Sequence, residues 1–321
     1  MRKLRIRRKR SAPCTLARVA VCLAVACSTA GSKPEKNGDS DEVSAQRPFA
    51  GVDLAAYLDC AREQGVTLLQ AHRAGDRPGA AENSLAAINK SLADGAVFME
   101  IDVARTVDGV LVLMHDDTLV RTTTGTGAVV TATFADLSTL SLIDVEGRDT
   151  GEGVPTLADA LGALEGRGFA QIDRKRSTSF DQIATVIEDE QAADRSMVIT
   201  YSIEEAIAVH RRLPGVMIST GIDGLDDVAT LEAADVDLSR VTAWLGLGRG
   251  KPGLDRELAA RGIETSYGDF RAESDGSMDY RLLSGNGAEL LSVDDVYAAA
   301  NALDAAAVAR KLLSDCPAAR E

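Results

Sequence analysis

Along most of the chain, short apolar runs rich in Val, Ile and Leu alternate with Ala-rich segments in which apolar residues return every three or four positions. The short runs fall at residues 66–71, 97–103, 169–175, 197–202, 216–222, 241–247, 262–267 and 288–293, a length that suits buried strands. An extra short run at 110–114 follows the second. The helical pattern occupies residues 84–93, 157–164, 180–190, 203–213, 226–234 and 255–260. Strands alternating with helices predict a parallel α/β sheet, and eight main strands close a (β/α)8 TIM barrel as a single domain. A doubly wound open sheet is the rival, and the lack of a Gly-rich turn after the first strand counts against it.

The N-terminal end follows another pattern. Arg2, Lys3, Arg5, Arg7, Arg8, Lys9 and Arg10 precede a brief apolar run at 19–26 that ends at Cys27 and small polar residues. This order predicts an export signal over residues 1–27, and the run is too short to cross a bilayer core of roughly 30 Å. Residues 23–27, Leu-Ala-Val-Ala-Cys, resemble a bacterial lipoprotein box whose cysteine is lipidated, with Ala24 where a larger aliphatic residue is usual. Cleavage and release without a lipid is the alternative, and twin-arginine export fits the residues after the paired arginines poorly. The expectation is an exported protein, either secreted or held at a bacterial cell surface through Cys27. Residues 28–48 are polar and nearly free of apolar side chains, which predicts a flexible linker and leaves 49–321 for the barrel.

Charge narrows the partners. The formal charge is −14, and loss of residues 1–26 removes eight basic residues and no acid, leaving −22 (27 basic against 49 acidic). Nucleic-acid affinity rests mainly on Lys and Arg against phosphates, so nucleic acid is not an expected partner. A small anionic substrate would need a locally positive site. Cys60 and Cys316 remain once the signal and Cys27 are set aside. An even pair in an exported protein predicts a disulfide, since a closed barrel brings its first and last helices together; two separate buried thiols are the alternative. The oligomeric state is not legible.

Candidate chemistry gathers at predicted strand ends. The chain has three histidines, and His72 directly follows the first strand while His115 follows the extra one. Glu100 and Asp102 end the second strand, Asp173 and Lys175 the third, and residues at i and i+2 share a strand face. Arg174 and Arg176 are then expected to face away. Two imidazoles move protons near neutral pH, paired carboxylates hold a hard cation, and an arginine grips phosphate oxygens. The set suits divalent-metal chemistry on a phosphate ester. Glu100 and Asp102 in mere salt bridges would be costly at an apolar strand end, whereas Asp173 and Lys175 have a simple mutual ion pair as their alternative. His210, beside Arg211 and Arg212, reads as a solvated helix residue. Trp244 reads equally as a pocket wall or a core filler, and Asp116 and Asp117 as loop anchors. Residues 121–153 form a long loop-rich segment expected to cover part of the mouth. Within it, 122–127 lacks a lysine and a following helix, so it reads as a flexible loop rather than a phosphate cradle.

These motifs resemble the glycerophosphodiester phosphodiesterase family, whose signature is His-Arg-Gly, an acidic-Asn-Thr motif, Glu-x-Asp, Thr-x-Asp-Gly and His-Asp. The chain reads His72-Arg73-Ala74, Glu82-Asn83-Ser84, Glu100-Ile101-Asp102, Thr106-Val107-Asp108-Gly109 and His115-Asp116, with Val154-Pro155-Thr156-Leu157 and Ile172-Asp173-Arg174-Lys175 similar to later family segments. The likeness is dense over 70–124, continues to about 175 and weakens beyond. It implies that Glu100, Asp102 and Asp173 ligate one divalent cation, Mg²⁺ or Ca²⁺, and that His72 and His115 are the acid–base pair. It also implies that Arg73 and Lys175 hold phosphate oxygens, and that Glu82 and Asn83 orient Arg73 and the first histidine. Departures are Ala74 for glycine, Asp173 for glutamate, no tryptophan pattern at 262–267, and Ser292-Val293-Asp294 for a Thr-Asp ending. The implied activity is hydrolysis of glycerophosphodiesters to glycerol 3-phosphate and an alcohol. Phospholipase-type action on lipid, lysolipid or teichoic-acid-like phosphodiesters, or a non-catalytic binding barrel, are the alternatives.

Overall fold

The computed structural model describes residues 47–316 and 319. The expected export signal at 1–27, with Cys27, and the linker as far as residue 46 lie outside the described residues. Eight parallel strands form a closed barrel: β1 (Leu68–Ala71), β2 (Phe98–Arg105), β4 (Phe169–Arg174), β5 (Ser196–Thr200), β6 (Met217–Gly221), β7 (Val241–Leu247), β8 (Glu264–Gly268) and β9 (Leu290–Val293). β1 pairs with both β2 and β9, which closes the ring. The extra strand, β3 (Leu111–Leu113), lies antiparallel outside β2, with Val103 opposite Leu113. The (β/α)8 barrel read from the sequence is therefore the fold, with six of the eight strands one or two residues shorter than the apolar runs, β7 equal to its run and β2 one residue longer.

Helices cover the ring, and their starts are set by side-chain caps. Ser84, Thr156, Ser179 and Ser202 each accept a hydrogen bond from the backbone of the turn that follows, satisfying donors that a helix start leaves free. Helices Leu54–Gln64, Phe270–Asp275, Tyr280–Ser284, Val296–Leu303 and Ala305–Asp315 were not among those expected from the sequence. Among the described residues no helix is long and apolar enough to cross a membrane.

Strand alternation divides the barrel into tiers. Leu69, Ala71, Met99, Ile101, Val103, Ala170 and Ile172 face outward into the main core beneath the helices. The intervening positions face inward. At the floor these are Leu68, Phe98, Phe169, Met197, Met217 and Leu290, packed with Phe49, Tyr57 and Leu58 of the N-terminal segment. The Phe169 ring meets those of Phe49, Tyr57 and Phe98 at centroid distances of 5.3, 5.8 and 5.1 Å, and Phe49 meets Tyr57 at 5.5 Å. One step up, the same strands present Gln70, Glu100, Gln171, Ile199, Ser219 and Ser292 to a cavity. A further step gives His72, Asp102, Asp173, Tyr201 and Asp294. A single period-two rule thus grades the interior from apolar floor to charged mouth. Helices Leu54–Gln64 and Ala305–Asp315 flank the floor, and the predicted Cys60–Cys316 disulfide joins them.

Residues 121–153 are more ordered than a loop-rich segment suggests, and 122–127 differ from the flexible loop expected there. They hold a short helix (Phe134–Leu137) and bridges Thr123–Leu142 and Ile143–Asp149. Leu119, Val129, Leu137 and Leu142 pack with Ala104, Val112, Met114 and Val154 as a small separate core. Thr122 and Thr123 are buried in it. The apolar residues are too widely spaced for a period to show, yet they converge once the turns are made.

Candidate active site

The site starts from a distorted turn. His72–Ala74 forms a single 3₁₀ turn at the end of β1, with Arg73 and Ala74 at φ 51° and 63° in the left-handed region. Asn83 N–H donates to Arg73 O (2.8 Å) and Ser91 Oγ to Ala74 O (2.7 Å), so neighbouring segments hold the turn from outside. Gly75 completes it at φ 86°, where a side-chain carbon would lie 2.6 Å from Ser91 Oγ. The Arg73 N–H is thereby aimed at Glu100 Oε2, 2.7 Å away.

Glu100, Asp102 and Asp173 form a buried carboxylate cluster whose ligand oxygens lie within 4.8 Å of one another. Asp102 stands directly opposite Asp173 in the β2–β4 register, so two neighbouring strands set their approach. Burial, then the nearby Asp102 charge, pushes the Glu100 carboxyl well above its ordinary range. Asn83 clasps Asp102, donating from Nδ2 to Oδ2 (2.7 Å) and accepting the Asp102 N–H at 2.9 Å. Tyr201 donates to Asp173 Oδ1 (2.7 Å), and burial with this bond pushes its hydroxyl upward. The Lys175 ammonium pairs with Asp102 and sits 2.7 Å from Asp173. Burial works against its charge, but the two carboxylates outweigh that and raise it above its usual range. One ammonium for three carboxylates leaves the cluster acidic.

Each histidine is backed by an aspartate. His72 Nδ1 lies 2.7 Å from Asp294 Oδ1, its Nε2 4.0 Å from Glu100 Oε2, and its ring stacks on Phe270 with centroids 4.4 Å apart. His115 Nδ1 lies 2.8 Å from Asp116 Oδ1, and its Nε2 is 3.0 Å from Arg73 Nη2. A guanidinium only donates, so His115 Nε2 accepts, and the ring proton rests on Nδ1 toward Asp116. A cavity of about 380 Å³ opens beside the acidic cluster, walled by His72, Tyr201, Trp244 and Phe270. A hollow of about 500 Å³ lies on the other side of His72, lined by Arg73, Glu82, Val145 and Asp294.

All nine residues singled out from the sequence meet in one connected network. Three contacts differ from expectation. Asn83 holds Asp102 rather than the first histidine. Glu82 takes two bonds from Arg121 as well as weaker ones from Arg73. Lys175 is engaged by carboxylates, the ion-pair alternative, in addition to lying at the cluster. Arg174 faces away over the Phe180 ring (4.5 Å), as strand alternation requires. His210 lies on helix Ile203–Arg212, away from the cavity, and Trp244 proves a wall. Sequence reading missed Tyr201, Phe270 and Arg121, and noted Asp294 only as a departure. Tyr201 and Asp294 continue the inward series 197–199–201 and 290–292–294, which was the available signal; Arg121 lies in a turn and Phe270 opens the short helix Phe270–Asp275, and neither carries one.

Residues 72–222 match the glycerophosphoryl diester phosphodiesterase family model. The chain is similar to the glycerophosphodiester phosphodiesterase family over that stretch, a little under half of its length. It is 38% identical over 104 residues to the glycerophosphodiester phosphodiesterase of Caldanaerobacter subterraneus subsp. tengcongensis, covering 32% of this chain and 42% of that one. It is 46% identical over 71 residues to human glycerophosphodiester phosphodiesterase 1, covering 22% and 21%. The matched segments thus span less than half of either relative. A glycerophosphoryl diester phosphodiesterase from Parabacteroides distasonis shares the fold with a TM-score of 0.72 and 26% identity, over 80% of this chain and 93% of that one. An Oleispira antarctica phosphodiesterase, solved with sn-glycerol-3-phosphate, shares it with a TM-score of 0.59 and 20% identity, over 76% and 99%. Against the family signature, Ala74 occupies a glycine position, and its positive φ shows why glycine suits it.

Proposed function

We propose that this protein is an exported, metal-dependent phosphodiesterase that hydrolyses glycerophosphodiesters to glycerol 3-phosphate and an alcohol. The observation that carries this reading is the convergence of three buried carboxylates, two aspartate-backed histidines and Arg73 at the mouth of a barrel similar to that family's. Export rests on residues 1–27, which lie outside the described residues.

The donor set fits a hard divalent cation, Mg²⁺ or Ca²⁺: three carboxylates converge with only one ammonium among them. Glu100, Asp102 and Asp173 would hold it. When bound, such an ion supplies positive charge against the charge that develops on a phosphate oxygen. The chain's own residues do the rest. Arg73 presents its guanidinium to phosphate oxygens, held by Glu82 on one edge. Lys175 keeps Asp102 and Asp173 together and adds a second positive charge at the cluster. One histidine takes a proton at Nε2 from water or from a substrate glycerol hydroxyl, and the other returns one to the leaving alkoxide. Asp294 and Asp116 fix the opposite nitrogen of each ring and steady the imidazolium that forms. Each proton transfer of this kind is worth ~10²–10⁴ in rate.

The test is release of glycerol 3-phosphate from glycerophosphocholine by the full chain, with EDTA and with added Mg²⁺ or Ca²⁺. Metal-dependent release is expected; a folded protein inactive with every metal would favour the binding-protein alternative. Tyr201, Trp244 and Phe270 around the cavity give a lipid-bearing alcohol a place to lie, so lysophosphatidylcholine belongs in the same assay.

A further inference from the structure

Arg121 lies five residues beyond Asp116 in a loop and touches none of the three carboxylates of the acidic cluster, yet it makes four charge-assisted hydrogen bonds. Nη1 and Nη2 donate to Glu82 Oε2 (2.8 Å) and Oε1 (2.7 Å). Nε and the same Nη2 donate to Asp116 Oδ2 (2.7 Å) and Oδ1 (2.9 Å). Glu82 also accepts from Arg73 Nη1 at 3.3 and 3.4 Å, and Arg73 Nη2 donates to His115 Nε2. His115 returns through Nδ1 to Asp116 Oδ1, the oxygen that Arg121 also holds. The contacts close a ring: Arg121, Glu82, Arg73, His115, Asp116 and back to Arg121.

We propose that Arg121 is a positioning residue that fixes both His115 and Arg73, although it reaches neither. This rests on the function proposed above. The physical argument is one of shared partners. Asp116 without Arg121 would be free to rotate its carboxylate and leave Nδ1 of His115, since no other hydrogen bond to its side chain is present among the described residues. The imidazole could then place its proton on either nitrogen, and a ring with the proton on Nε2 cannot accept one there. Glu82 without Arg121 would be drawn wholly to Arg73, the only other cation on it among the described residues. The Arg73 fork would turn from His115 and from the phosphate position. The Glu82 carboxylate is buried and Asp116 is about a quarter exposed, so the bonds that Arg121 supplies are stronger than in open solvent. Arg121 also holds the Asp116 carboxyl well below its usual range, which keeps it an acceptor for His115.

The chain's three histidines make the test direct, because nitrogen-15 spectra of the imidazoles resolve the tautomer of each ring. Three full-length variants are compared: Arg121→Gln, Arg121→Lys, and Arg148→Gln, which frees another arginine of the same segment from Asp144 and Glu146. In Arg121→Gln we expect His115 to lose its single Nδ1–H signature while His72 keeps its own. We expect kcat on glycerophosphocholine to fall roughly 10- to 100-fold, as misplacement of a catalytic group does, with KM within about two-fold. Arg121→Lys should recover part of kcat, since an ammonium still pairs with the two carboxylates but cannot fork to both. Arg148→Gln should leave the spectra and kcat unchanged. A wild-type His115 spectrum and kcat in Arg121→Gln overturn the proposal. The same losses in Arg148→Gln overturn it too, since general loosening of the segment would then be the cause. If the wild-type protein turns over no glycerophosphodiester, the functional reading fails, and the imidazole spectra still decide whether Arg121 positions His115.

Discussion

The two ends of the barrel are built from the same strands and obey opposite rules. At the floor, Leu68, Phe98, Phe169, Met197, Met217 and Leu290 exclude water and pack against the N-terminal segment. Four residues further along several of these strands, at the same inward phase, the side chains are His72, Asp102, Asp173, Tyr201 and Asp294. The floor gains its stability from apolar burial and a disulfide. The mouth gathers like charges that burial makes unfavourable, as the upward shift of Glu100 records. One end is built for stability and the other spends some of it on chemistry.

Substitutions at the two ends should therefore separate activity from stability. The largest effect belongs to the mouth: His115→Ala should lower kcat by ~10²–10⁴ while the melting temperature stays nearly fixed. A parallel loss of folding, read by circular dichroism, would erase the distinction between the ends. At the floor, Phe169→Ala should cost about 3–5 kcal/mol in denaturant unfolding, with kcat of the folded fraction unchanged. A loss of kcat without loss of stability there would contradict the division.

The third expectation concerns Glu264 and Glu289, buried acids at and beside the start of β8 and β9. Burial pushes Glu264 up to about 8 against the pull of Arg62, and Glu289 up to about 7. Acids with raised folded values favour the native state fully below their unfolded value, near 4.5, and lose that contribution as pH rises through 7 to 8. The melting temperature should accordingly fall, by on the order of 5 °C, between about pH 5 and pH 8. Glu264→Gln should flatten that slope; an unchanged slope in this variant and in Glu289→Gln would refute the assignment. The smallest effect is at Ala74, whose left-handed backbone costs an L-residue roughly 1 kcal/mol. Ala74→Gly should raise stability by up to about that amount, and a clear drop would show that the turn is not strained.

How far the sequence reached follows the same division. The barrel was legible because each strand carries its own apolar run, and the disulfide because a closed ring forces the chain's ends together. His72, Glu100, Asp102, His115, Asp173 and Lys175 were legible because they lie at strand ends in a fixed phase. Arg121 was not, because its role depends on a loop folding back until Glu82, 39 residues earlier, lies beside it. The order in residues 121–153 was hidden for a related reason: its small core is shared with Ala104, Val112 and Val154, and no local pattern announces a partner elsewhere in the chain.

We propose that Glu100, Asp102 and Asp173 together hold one divalent cation. Titration calorimetry of the metal-stripped full chain with Mg²⁺ and with Ca²⁺ tests it most directly, set beside Asp102→Asn. We expect one site in the wild-type chain, its loss in the variant, and turnover that returns with the same dependence on metal concentration. Undiminished binding in Asp102→Asn, or full turnover after chelation, would contradict it.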